Sequence, residues 1–102
     1  MFVAKAGPSG DYQGRLCPYG PLELMPSAQV LNYGQAVFEG LKAQRSHKDR
    51  VVLFRPDANA ERMEQGAIRM SMPPVPRSFF LDAVEKVVQA NKDNVACDDP
   101  LL

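Results

Sequence analysis

Residues 31–45, LNYGQAVFEGLKAQR, followed by VVLF at 51–54, carry the pattern that decides the fold. From Ala36 to Arg45 the side chains alternate. Val37, Leu41 and Ala43 fall on one face of a period-two strand, and Phe38, Gly40 and Lys42 fall on the other. Glu39 breaks the first face. The charged stretch SHKDR then gives way to a short β-branched and aromatic run. Residues 37–54 are therefore expected to form an antiparallel hairpin, 37–45 pairing with 51–54, with a solvated tip. His47 sits in that tip beside Lys48, Asp49 and Arg50; it is expected to be exposed and is assigned no role.

After this hairpin the period changes from two to 3.6. Pro56 and Asp57 supply a helix start, proline being tolerated in the first turn and a carboxylate favoured near the exposed amides. Ala60, Met63, Ala67 and Met70 form an apolar stripe, and Arg62, Gln65 and Arg69 a polar one. Gly66, in the middle, costs about 1 kcal/mol against alanine and marks a place of close packing. MPPVP ends this helix near residue 72. Ser78 is expected to cap a second helix, 78–91, with Phe80, Val84, Val87 and Val88 buried and Asp82, Glu85, Lys86 and Gln89 facing water. The tail at 93–102 has no periodicity and is expected to fray.

On the N-terminal side, FVAK at 2–5 precedes the turn-forming cluster GPSGD, and a second strand near Gly14 to Cys17 completes a hairpin. Pro21 and Pro26 exclude YGPLELMPSA, residues 19–28, from the middle of a sheet and make it a loop or an extended edge. The class is α+β: antiparallel strands within residues 1–55, then two helices packed on one face. No internal repeat or linker divides the chain.

The 102 residues suit one domain, which at this size buries about 60–65% of its unfolded surface. Twelve basic side chains balance twelve acidic ones, and no run of like charge steers the surface toward nucleic acid or an anionic membrane. Cys17 and Cys97 stand eighty positions apart without histidines at ligand spacing, which argues against zinc and for two thiols in a reducing compartment. No apolar stretch suggests a membrane span or a signal peptide. An intracellular protein is expected, cytoplasmic, or of the chloroplast or mitochondrion where a transit peptide lies upstream.

Two blocks, NYGQAVFEGLKA and LFRPDANAERM, occur in order and at a separation that resembles the branched-chain aminotransferases, on the fold shared with D-amino-acid aminotransferases. The resemblance runs from Tyr19 to Lys92. It implies a dependence on pyridoxal phosphate (PLP) and the transfer of an amino group from leucine, isoleucine or valine to 2-oxoglutarate. It implies that Arg62 holds the cofactor phosphate, for which a planar guanidinium fork is suited. Tyr33, Phe38 and Gly40 would line the substrate pocket, the glycine allowing close approach to the backbone. Gln44 departs from the family's usual aromatic. None of the five lysines matches the family's Schiff-base lysine, which belongs to a large domain beyond this small-domain portion, so no catalytic residue is assigned. Aminotransferase ancestry also implies small-molecule partners and leaves room for a homodimer. Two other readings differ in class: a non-catalytic truncated fragment that folds or pairs with a complete paralogue, and a small α+β binding module without PLP. Taken without the resemblance, Arg62 would be a surface salt-bridge partner of Glu61 or Glu64.

Overall fold

The computed structural model describes residues 1–96; the tail beyond them, Cys97 included, lies outside the description. Strand β1, Phe2–Ala6, pairs antiparallel with β2, Tyr12–Leu16, placing Phe2 opposite Leu16 and Ala4 opposite Gly14. Gly10, at φ 81°, takes the left-handed conformation that closes the connecting turn. A Cβ at Gly14 would stand 2.5 Å from the Phe2 ring, so glycine there lets that ring lie across the hairpin. The ring meets Phe79 edge-on at 5.9 Å, and Tyr12 meets Phe79 at 5.7 Å. Tyr12 then donates its hydroxyl to the Pro73 carbonyl at 2.7 Å.

The segment from Cys17 to Ala28 is irregular, as its prolines require, and leads into a five-residue helix, α1, Gln29–Tyr33. The alternation reading missed α1. It lacks a side-chain cap, and its signal is confined to its end, where Gly34 at φ 62° stops it.

The second hairpin is shorter than expected. Strand β3, Ala43–Arg45, pairs with β4, Val51–Leu53, in the predicted antiparallel sense, and His47 is exposed at the tip. Residues 37–42 keep the alternation without the pairing: Val37, Glu39 and Leu41 are half-buried while Phe38, Gly40 and Lys42 are exposed. Among the described residues, no strand lies beside this run to complete a hydrogen-bonded ladder. The two hairpins are separate two-stranded sheets.

Helix α2, Pro56–Arg69, begins with Pro56 in its first turn, carries Asp57 near its N-terminus and ends with Arg69 in its last turn. Its expected apolar stripe is graded: Ala60 and Ala67 are fully buried, Met63 is half-buried and Met70 is exposed. Helix α3, Arg77–Ala90, starts one residue before the expected boundary. Pro76 occupies its N-cap position and its carbonyl accepts the Phe80 N–H at 2.9 Å, so Ser78 lies inside the first turn and caps nothing. Helix α3 packs on α2 and on the β1–β2 hairpin. Arg77 joins the helices by donating to Glu64 at 2.7 Å and to Glu61 at 3.4 Å.

The expected buried stripe on α3 is only half-buried. Phe80, Val84, Val87 and Val88 line an open groove of about 400 Å³ with Leu41 and Leu53 across it. At the far end, Arg45 donates through Nε to the Val95 carbonyl at 3.0 Å and through Nη2 to the Lys92 carbonyl. That guanidinium ties β3 to the 3₁₀ turn Lys92–Asn94 after α3, a helix C-terminal end that favours a cation.

Candidate functional site

The groove that holds most of the expected site residues lies between α2 and the unpaired run before β3. It has a volume of about 530 Å³ and is lined by Val37 through Gly40 on one side and by Arg62, Met63 and Gly66 on the other. Gly66 explains the proximity: a Cβ there would sit 3.3 Å from Val37 Cγ1, so the missing side chain lets the run lie against the helix. Gln35 fixes the beginning of the run by donating to the Met70 carbonyl at 2.8 Å.

Alternation turns Glu39 toward the helix and Phe38 away from it. The Glu39 side chain is only 8% exposed and accepts both side-on donors of Arg62, Nε at 2.7 Å and Nη2 at 2.9 Å. Asn59, three positions before Arg62 and on the same face of α2, donates one amide nitrogen to Glu39 at 2.7 Å and to the Gly40 carbonyl at 2.9 Å. The Arg62 hydrogen bond, against the opposing effect of desolvation and with help from Asn59, holds the Glu39 carboxyl below its ordinary pKa of 4.5. Glu39 in turn raises that of Arg62.

Three of the four expected residues, Phe38, Gly40 and Arg62, thus come together in one groove. Tyr33 does not join them: it ends α1, is 79% exposed and does not line the groove. Gln44 lies in β3 opposite Val52. The expected alternative partners of Arg62 are otherwise engaged, Glu61 and Glu64 binding Arg77. Sequence reasoning missed Glu39 and Asn59. The signals were present in a carboxylate on the inward face of an alternating run and an amide at helical spacing from Arg62.

An arginine has five N–H donors, of which Glu39 takes two, leaving three: a parallel pair on the outer Nη1–Nη2 edge and the second Nη1–H on the Cδ side. The Arg62 side chain is 71% exposed, and a side chain at Gly40 would meet nothing within 4 Å, so an anion has room beside both. None of the five lysines lines this groove. Among the described residues no cluster of histidine, cysteine or acidic side chains is placed to hold a metal, and Cys17 carries a free thiol. No helix among them is long and apolar enough to cross a membrane.

No family model matches the chain. Curated proteins do. The chloroplastic branched-chain-amino-acid aminotransferase 2 of Arabidopsis thaliana is 50% identical over 93 residues, covering 90% of this chain and 24% of that protein. Branched-chain-amino-acid transaminase 1 of Bacillus subtilis is 50% identical over 84 residues, 82% of this chain and 24% of its own length. A methionine aminotransferase of Arabidopsis thaliana is 44% identical over 93 residues, 90% of this chain and 26% of its own length. The chain spans about a quarter of the length of these relatives. With that level of identity sustained along nearly all of its residues, this small α+β chain belongs to the branched-chain-amino-acid aminotransferase family.

Proposed function

We propose that these residues form the phosphate end of a PLP site and one wall of a substrate pocket in a branched-chain aminotransferase acting on leucine, isoleucine or valine with 2-oxoglutarate. The observation that carries this reading is the groove that Arg62, still holding three donors, lines together with Phe38 and the open backbone at Gly40. Arg62 would grip the phosphate through its Nη1–Nη2 edge by two parallel charged hydrogen bonds. Phe38, 93% exposed, offers an apolar surface for a branched side chain, and Gly40 lets substrate come close to the main chain. Tyr33, at the end of α1 and outside this groove, would contribute to the substrate side.

Bound PLP supplies an electron sink that eases removal of the proton from the amino acid α-carbon. The residues here bind and orient; no lysine is placed in the groove to move that proton, and no catalytic role is assigned. Helix α3 leaves an apolar groove open, which favours a working unit in which further polypeptide, from the same protein or a complete paralogue, lies beside this chain. One relative's name specifies methionine, so the named substrate differs among proteins that match this segment.

The 102-residue chain alone is therefore expected not to transaminate. Purified chain with PLP, leucine and 2-oxoglutarate should form glutamate no faster than a PLP-only control. Turnover above that control that disappears in Arg62→Ala would contradict the binding-only role and require a lysine among these residues to act as the catalyst.

A further inference from the structure

We propose that Glu39 is the positioning residue of this anion site: its carboxylate holds the Nε side of the Arg62 guanidinium and leaves the Nη1–Nη2 edge as the one pair of parallel donors an anion can take. The inference rests on the reading of Arg62 as a phosphate ligand and adds how the phosphate is oriented. Three observations support it. The ion pair is two-pronged, at 2.7 and 2.9 Å, so it fixes the plane of the guanidinium as well as its position. Its carboxylate end is the sheltered one, 8% exposed against 71% for Arg62, so Glu39 is the anchor and the guanidinium the part left to read a ligand. Asn59 secures that anchor by donating both to Glu39 and to the Gly40 carbonyl, which ties the carboxylate to the backbone that edges the groove.

A surface arginine free to rotate would offer either donor edge and lose side-chain entropy on binding. Held by Glu39, it offers one edge and has already been ordered. The negative charge of Glu39 also offsets the positive charge of the guanidinium, so binding depends on correctly placed donors more than on net attraction.

The test follows the Arg62 side-chain N–H resonances of the ¹⁵N-labelled 102-residue chain, assigned by their loss in Arg62→Lys, during titration with inorganic phosphate at constant ionic strength. In the parent chain the Nη resonances should shift saturably, while Nε–H keeps its shift and its slow exchange with water. In Glu39→Gln the Nε–H exchange should quicken about tenfold, as expected for loss of one charge-assisted hydrogen bond, and Nε–H should now respond to phosphate. Nε–H shifting in step with Nη in the parent would mean that phosphate displaces Glu39, and would overturn the positioning role while leaving Arg62 an anion ligand. A Glu39→Gln chain with the parental Nε–H behaviour would also overturn it. Absence of any saturable Arg62 response would overturn both readings. Should Glu39→Gln fail to fold, the parent titration still decides the matter, because displacement and retention of Glu39 differ at Nε.

Discussion

Arg62→Ala is expected to weaken PLP retention about a hundredfold in the Bacillus subtilis transaminase carrying this chain's segment in place of its own, since two hydrogen bonds to a charged group contribute about 1.5 kcal/mol or more each. The alanine variant removes both donors of the outer edge and leaves Glu39, sheltered beside Asn59, without its main partner. Two effects then oppose the phosphate: lost donors and an uncompensated carboxylate. Arg62→Lys should restore only part of the affinity, because an ammonium keeps the charge but cannot serve Glu39 and a phosphate through two separate edges, each a pair of parallel donors. Dialysis against PLP-free buffer, with the remaining cofactor read by absorbance, measures both variants. Equal retention in the alanine variant and its parent would remove Arg62 from the site.

Phe79→Ala is expected to have the largest effect on folding, about 2 kcal/mol, less than the 3–5 kcal/mol of a fully buried phenylalanine because this ring is only half-buried. Its importance lies in what it joins. Phe79 is a ring on α3 that meets both strands of the first hairpin, Phe2 at 5.9 Å and Tyr12 at 5.7 Å. Fully buried apolar residues among those described are limited to Ala60 and Ala67, so few large contacts hold the hairpin to the helices. The melting temperature should fall by about 10 °C, given about 4–8 °C per kcal/mol for a domain this size. Phe54→Ala provides the control, its ring being 79% exposed. Equal losses for the two variants would show that the aromatic cluster does not hold the hairpin in place.

Those contacts also show what the sequence could and could not reveal. Helix α2 was legible because its start, stripe and stop agree: Pro56 and Asp57, then Ala60 and Ala67 seven residues apart, then MPPVP. Gly66 was legible as a close approach, although only the fold shows that Val37 makes it. The run at 37–42 shows a limit of periodicity, which reports which side chains face inward and not whether a neighbouring strand exists to pair with. Alternation was read correctly and the ladder was not. Helix α1, five residues without a cap, is too short to impose a period. The start of α3 was misplaced because a good capping residue, Ser78, stands just past a proline that takes the position instead.

At the site, Arg62, Phe38 and Gly40 were named through family resemblance, and their meeting in one groove follows from the fold. Glu39 was visible only as an interruption of an apolar face. Its meaning depended on a helix twenty residues downstream, where Asn59 and Arg62 both point at it. Pairings of that kind are non-local, and no pattern within a short window contains them.

The most direct test of Arg62's role exchanges the matching segment of the full-length Bacillus subtilis transaminase for this chain's residues, at 50% identity, and measures glutamate formed from leucine and 2-oxoglutarate. The expected result is a folded, PLP-loaded protein with turnover within about tenfold of its parent, equivalent to about 1.4 kcal/mol of barrier, and loss of that turnover in Arg62→Ala. A folded exchange that fails to load PLP, or that loads it and forms no glutamate, would contradict the claim that these residues build the phosphate end of a branched-chain aminotransferase site.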